Sequence, residues 1–324
     1  MLFDDLFLLL PFEIQEQLKQ SPQDRLYHSE GSVYNHIKLV SMQLPENDIN
    51  YQLCALLHDI NKINCVEAKE KIDKIRIRNI GHDKNIDYSV IQNEYFMDYS
   101  IDHNFHKSID WSFIKQVCNN HMRMHDYNSG KISRPNKRKA MEELKYYEEL
   151  KIFSKADSEG RIDGNTTVAP PYLIICYGNS GSGKSTWAKS FAEHSGYIRI
   201  CPDEIREKLT GSISDQTKNG EVFHEAFHTL KEELNNKHCV IFDSTAVNIK
   251  TRKSLETIAT ECGAIVMYKV FNVDKEECKR RILEDITNGV NRSNTPNEII
   301  DKFDVQFQET LVWLVENNKL VIKE

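Results

Sequence analysis

The sequence predicts an all-α domain over residues 1–165 followed by an α/β domain over residues 170–324, the second a parallel sheet with helices on both faces. Three observations predict it. The 324 residues amount to about two domains of ordinary size. Apolar spacing is helical in the first half, whereas in the second short apolar runs alternate with helical stretches. Between the halves, the stretch 160–171 (GRIDGNTTVAPP) is turn-rich and of linker type, which sets the boundary near 163–171.

In the first half, 48–59 carries Ile49, Leu53, Leu56 and Leu57 at the period of an amphipathic helix, and 33–42, 111–121 and 141–153 repeat it. No alternating strand is expected before residue 170. In the second half, strands are expected at 172–177, 197–200, 239–242, 264–271 and 320–322. Helices are expected at 185–192, 203–209, 221–235, 252–262, 275–285 and 297–315. Strands separated by helices call for parallel pairing.

Composition narrows the class. With 40% hydrophobic and 28% charged residues, and only 13 Gly and 8 Pro, a disordered tail or a collagen-like chain is excluded. The apolar run 6–12 is too short to span a bilayer, and Asp4 and Asp5 precede it where a signal peptide carries positive charge. No membrane partner is expected. Eight cysteines stand singly without a CxxC pair, which favours a reducing compartment and a cytoplasmic location. A net charge of −7 gives no global sign of nucleic acid, so any such contact must be local.

The strongest motif is Gly178, Asn179, Ser180, Gly181, Ser182, Gly183, Lys184, Ser185 and Thr186, a GxxxxGK[ST] loop directly after an expected strand and before an expected helix. Glycines let backbone N–H groups curl around phosphate oxygens at a helix N-terminus. Lys184 reaches the β and γ phosphates, and the Ser185 hydroxyl suits Mg²⁺. The cofactor expected is ATP or another nucleoside triphosphate. Asp203 in CPDEIR follows the second strand, where it can accept a proton from an attacking hydroxyl or simply cap a helix. Arg206, one turn on, can hold a substrate phosphate. Asp243 ends the third strand and suits the metal's water shell or the acceptor. Arg280, Arg281 and Arg292 bracket the segment from which a cation can close over a transferring phosphoryl group.

These motifs, with IFDSTAVNIKTRK and YKVFNV, resemble polynucleotide 5′-hydroxyl kinases of the phage RNA-repair type. The resemblance implies a P-loop kinase in which Asp203 is the general base, Arg206 contacts the acceptor strand and Asp243 positions substrate. The family spaces its lid arginines closely, whereas Arg281 and Arg292 are separated here by a longer insert.

Eight of the twelve histidines lie in the first 125 residues. His36, the pair His58-Asp59, and Asp157 fall in helical patterns, a mixed N/O donor set suited to Mn, Fe, Co, Ni or Zn rather than a thiolate site. His28 to His36, His58 to Lys62, Gly81-His82-Asp83, His121, and Asp157 to Arg161 occur in an order that resembles the HD phosphohydrolase superfamily, especially domains attached to tRNA nucleotidyltransferases. The resemblance implies one metal on His36, His58, Asp59 and Asp157, with His82 and His121 holding a second metal or substrate phosphate. Lys62 and Arg161 are candidate phosphate contacts; His28, His103, His106 and His125 have weaker claims. A cluster at Lys131, Arg134, Lys137, Arg138 and Lys139 contains no acid and suits either a phosphate backbone or solvent.

Both halves together resemble bifunctional end-healing enzymes, in which a kinase phosphorylates a 5′-OH and an HD module removes 2′,3′-cyclic, 2′- or 3′-phosphate. That implies RNA or DNA strand ends as partners and a separate ligase acting downstream. Two alternatives stay open: an HD nucleotide phosphohydrolase fused to a small-molecule kinase, and a regulatory protein whose HD site is gated by ATP.

Overall fold

A computed structural model describes residues 2–162, 169–245, 249–290, 292 and 295–323. Most of the linker-type stretch, 163–168, lies outside the described residues. In chain order the helices and strands are α1 (Leu2–Leu8), α2 (Phe12–Gln20), α3 (Val33–Met42), α4 (Ile49–Leu57), α5 (Lys62–Cys65), β1 (Val66–Lys71), β2 (Lys74–Asn79), α6 (Glu94–Asp102), α7 (Trp111–Asn128), α8 (Pro135–Glu142) and α9 (Tyr147–Glu159). There follow β3 (Tyr172–Tyr177), α10 (Lys184–Ser195), β4 (Ile198–Ile200), α11 (Pro202–Thr210), α12 (Asn219–Asn235), β5 (Val240–Phe242), α13 (Ile249–Glu261), β6 (Ile265–Val270), α14 (Lys275–Thr287), α15 (Asn297–Glu316) and β7 (Ile322–Lys323). The chain forms two compact units, Met1–Val66 with Ile77–Ala169, and Glu67–Arg76 with Pro170–Glu324.

The first unit is a helical bundle. Several of its helices start where side chains satisfy free N–H groups of the first turn. Ser32 accepts from the Asn35 amide before α3, Asp48 from Asn50 and Tyr51 before α4, and Asp110 from Ser112 and Phe113 before α7. α7 turns Phe113, Ile114, Val117, Cys118, His121 and Met124 inward. α4 is buried at every residue but Asn50, so His58 and Asp59 at its end are delivered into the core. Gly160 lets the end of α9 lie against α3: a Cβ there would sit 2.8 Å from the Val40 nitrogen, which no side chain tolerates.

The second unit is built on a parallel sheet in the order β4-β5-β3-β6 with flanking helices. Central β3 is buried at every residue, the near-continuous apolar run of a strand covered on both faces. The C-terminal ends of β3, β4 and β5 lead into the phosphate loop, Asp203 and Asp243. Ligands of open α/β sheets gather at that edge.

Two sequence expectations are corrected. Strands do occur before residue 170: β1 and β2 join β7 in a second sheet, and β1 runs parallel to β7 with Ala68 opposite Ile322. Within the second unit, Glu70 accepts from Trp187 and from Lys269, and Glu67 from Lys323. The alternation is present, with Ala68, Ile75 and Ile77 buried, but charged neighbours dilute it and the turn at Ile72-Asp73 carries neither Gly nor Pro. The helix expected at 141–153 is two, α8 and α9. The break falls where Gln116 of α7 takes the Tyr146 amide at 2.7 Å, a tertiary bond with no local signature.

Candidate functional site

Two groups of side chains carry chemistry, one in each unit. In the first, α3, α4, α7, α9 and the turn after β2 bring His36, His58, Asp59, Asp157, His82 and His121 together, all of them buried. His58, His82 and His121 each direct Nδ1 at a backbone carbonyl three residues earlier, Ala55, Asn79 and Cys118, at 2.9, 2.6 and 2.6 Å. A carbonyl only accepts, so Nδ1 carries a proton and each ring directs Nε2 inward. Rings that hold metals are oriented in this way.

Asp59 lies at the centre. Its Oδ2 is 3.4 Å from Nε2 of both His36 and His58 and 2.6 Å from the Lys62 ammonium. Its Oδ1 is 3.1 Å from His82 Nε2 and 3.6 Å from His121 Nε2, but neither contact has hydrogen-bond geometry, so the oxygen has no partner. His58 Nε2 is also buried without one. The Nε2 atoms of His82 and His121 stand 3.3 Å apart. Facing Nε2 atoms beside orphaned acceptors fit a cation. Two trios, His36-His58-Asp157 and Asp59-His82-His121, each bring three donor atoms within 4.8 Å of one another.

Charge in this core is set by burial against ion pairing. Burial pushes the His58 imidazole down to about 3, so it is neutral. Burial alone would raise the Asp59 carboxyl, but the Lys62 ammonium beside it holds it well below the carboxylate range. Asp157 is likewise held low against burial, by hydrogen bonds from His125 and His36. His36 Nε2 is 3.1 Å from Asp157 Oδ1, while its Nδ1 faces Glu30 Oε1 at 3.2 Å.

Sequence reasoning gave little weight to Glu30 and His125. Glu30 bridges His28 Nδ1 at 2.7 Å and His36, and its other oxygen accepts the Ile162 amide. His125 Nε2 reaches Asp157 Oδ2 at 2.5 Å. An acid six residues before His36, and a second histidine one turn past His121, were the available signals. Lys62 and Arg161 turn to Asp59 and Asp157 respectively. His103 and His106 bond within or beside α6 and do not join the cluster.

In the second unit the phosphate loop takes its expected form. Gly181 and Gly183 have φ of 83° and 95°, and a Cβ on Gly181 would meet the Cys278 carbonyl at 2.6 Å. Lys184 folds back into the loop and donates to the Asn179 carbonyl at 2.5 Å. Burial pushes its ammonium down to about 8, against the pull of Asp243. Ser185 Oγ donates to Asp243 Oδ1 at 3.1 Å, the hydroxyl–carboxylate pair that suits Mg²⁺ at a P-loop.

Asp243 is further held by Arg199, whose Nε and Nη2 donate to Oδ2 at 2.8 and 2.6 Å while Nη1 reaches Glu204. Arg199 was not singled out from sequence; a lone arginine between Ile198 and Ile200 was its signal. Asp203 lies in the first turn of α11, half exposed and not capping it, since Cys201 stands at the N-cap. Arg206 is buried and donates to Asp203 and to Asn219, so its guanidinium is turned to the proposed base. Of the arginines near the lid, Arg280 and Arg281 pair with Glu277 along α14. Arg292 donates to Ser180 of the phosphate loop at 3.3 Å and to Asp285.

Residues 173–310 match the family model described as an AAA domain. With the loop geometry, this makes the second unit a nucleotide-binding P-loop domain. Among solved structures, a chain of the Pnkp1/Rnl/Hen1 RNA repair complex is 26% identical with a TM-score of 0.40, over 46% of this chain and 48% of that one. A second structure of that complex gives 28% identity and a TM-score of 0.33, over 36% and 40%. The APS kinase CysC of Mycobacterium tuberculosis gives 15% identity and a TM-score of 0.31, over 43% and 98%. The chain thus spans less than half the length of the first two. No helix among the described residues is long and apolar enough to cross a membrane.

Proposed function

We propose that this chain heals broken nucleic-acid ends, those of RNA above all: the P-loop unit phosphorylates a 5′-hydroxyl from ATP, and the helical unit is an HD-type phosphoesterase that removes 2′,3′-cyclic, 2′- or 3′-phosphate. The observation that carries the reading is the pairing in one chain of a nucleotide loop that has its own acid–arginine pair with a buried histidine–aspartate cluster full of unpartnered acceptors.

In the kinase reaction, Lys184 holds the β and γ phosphates, Asp203 takes the proton of the attacking 5′-hydroxyl, and Arg206 fixes the orientation of Asp203. Arg292, beside Ser180, is the arginine best disposed to offset charge on the transferring phosphoryl group. Ser185 and Asp243 are the residues to hold Mg²⁺. In the phosphoesterase reaction, His36, His58, Asp59 and Asp157 are the residues to hold one divalent transition metal, with His82 and His121 sharing Asp59 toward a second. A divalent ion there acidifies water and neutralises phosphoryl charge. Arg161, about a third exposed beside Asp157, meets the substrate phosphate.

The test is one incubation of 5′-hydroxyl, 2′,3′-cyclic-phosphate RNA with ATP and metal, with both product ends analysed. A 5′-phosphate and a 3′-hydroxyl support end healing. Phosphorylation of nucleosides but not strands, or turnover at neither end, overturns it. A healed strand has the two ends that a separate ligase requires.

A further inference from the structure

The end of α7 nearest the histidine–aspartate cluster continues into the most cationic stretch of the first unit. Lys131, Arg134, Lys137, Arg138 and Lys139 follow one another with no acid among them, on a chain whose net charge is −7. Their side chains are spread over the surface, Lys131 at 74% and Lys139 at 75% exposure. Lys131 and Lys139 form exposed ion pairs, with Asp126 at 3.3 Å and Glu143 at 3.6 Å, of the kind that water screens. No carboxylate pairs with Arg134, Lys137 or Arg138 among the described residues.

The backbone of this stretch is tied down, which fixes where the cations leave the surface. The Ile132 amide donates to the Asp126 carbonyl, Arg138 donates to the Ile132 carbonyl, and Pro135 starts α8. The Arg138 guanidinium lies 4.0 Å from the Tyr127 ring centre, and Tyr147 meets that ring edge-on. Arg138 thereby fastens the arm to α7 and leaves the other four cations outward.

α7 also sets the arm's distance from the chemistry. His121 and His125 are one turn apart on it, and His125 touches Asp157. At 1.5 Å per residue the helix ends about 4.5 Å beyond His125, and the arm starts there. A mononucleotide bound at the cluster has no further phosphates to offer such an arm; a strand has one per residue.

We infer that residues 128–139 are the strand-binding track of the first unit, holding the phosphate backbone of a polynucleotide whose terminal phosphate lies at the histidine–aspartate cluster. This rests on the phosphoesterase reading and adds the surface by which the first unit holds a strand and tells it from a free nucleotide. The contacts are to backbone charge, so they are insensitive to base and sensitive to salt.

The experiment compares the full chain with a variant carrying Lys131→Ser, Arg134→Ser, Lys137→Ser and Lys139→Ser, all exposed positions away from the cluster. The substrates are a 5′-phosphorylated oligonucleotide with a 3′-phosphate, which is closed to the kinase reaction, and a 3′-mononucleotide. For the oligonucleotide, KM rises about tenfold at 0.1 M salt. The slope of log KM against log salt falls by about 2–3, at roughly 0.7 per phosphate contact. KM and kcat for the mononucleotide stay unchanged, and arginine at positions 131, 137 and 139 preserves the parent behaviour. Equal shifts for both substrates, or for neither, overturn the inference. So does loss of binding to phosphatidylserine vesicles with strand KM unchanged, which would assign the arm to a lipid surface. A parent chain that hydrolyses neither substrate refutes the phosphoesterase reading instead; strand binding then decides the arm, and an unchanged salt slope overturns it.

Discussion

Replacing Lys184 by Met removes a charge that the fold itself disfavours. The ammonium sits in the loop with burial pushing its pKa from 10.5 down to about 8, so the charged form costs the folded protein roughly 3 kcal/mol. The sign follows from linkage. Below pH 8 the lysine is charged in both states and the whole cost weighs on the native state. Between pH 8 and 10.5 the native state has released a proton that the unfolded chain keeps, and stability rises with pH. Lys184→Met should therefore stabilise the nucleotide-free second unit at pH 7. Loss of the bond to the Asn179 carbonyl takes back about 1–2 kcal/mol, which leaves a net gain of about 1–2 kcal/mol. By pH 9.5 the parent recovers about 2 kcal/mol of its deficit, so the difference between the proteins narrows by that amount or reverses. The assay is urea unfolding at both pH values, followed through Trp187 and Trp313 with Trp111 changed to Phe, so that only the second unit is read. ATP should then stabilise the parent and leave the variant unmoved. A difference independent of pH would refute the desolvation argument.

The remaining expectations concern the two sites separately. Asp203→Ala should abolish 5′ phosphorylation and leave 3′-end hydrolysis intact, and Asp59→Ala should do the reverse; end-labelled RNA reports both, and crossed effects would dissolve the two-site reading. Glu30→Gln should weaken metal binding by about tenfold or more in a calorimetric titration, because His36 loses the carboxylate at its Nδ1; an unchanged isotherm removes Glu30 from that role. Gly160→Ala should destabilise the first unit by about 1–3 kcal/mol, since its methyl would meet Val40 backbone at 2.8 Å, and should impair hydrolysis through Asp157 on the same helix. Chelation followed by add-back should restore hydrolysis best with a transition metal, as the imidazole-rich donors require; restoration by Mg²⁺ alone counts against the cluster as the metal site.

Much of the candidate chemistry was readable because it is local in the chain. The phosphate loop needs its glycines and lysine at fixed spacing, so nine consecutive residues announce a site. The strands of the main sheet were legible for a similar reason: a strand buried on both faces reads as an unbroken apolar run, as Tyr172–Tyr177 does. The hairpin β1–β2 was not, because half of each strand faces outward and its charged residues hide the alternation.

By itself the sequence determined the α/β class of the second half, the mainly helical character of the first, the nucleotide loop, and the set of histidines and aspartates worth suspecting. Tertiary structure alone decided which of them converge. It put His125 and Glu30 against Asp157 and His36 and turned Arg206 onto Asp203. It also tied Asp243 to both Ser185 and Arg199, and brought Arg292 rather than Arg281 to the phosphate loop. The physical reason is one of range. Loop and helix signals arise from residues within a turn or two of each other, whereas side-chain pairing depends on how helices pack. A contact such as His36 with Asp157, 121 residues apart, exists only once Gly160 lets α9 close on α3.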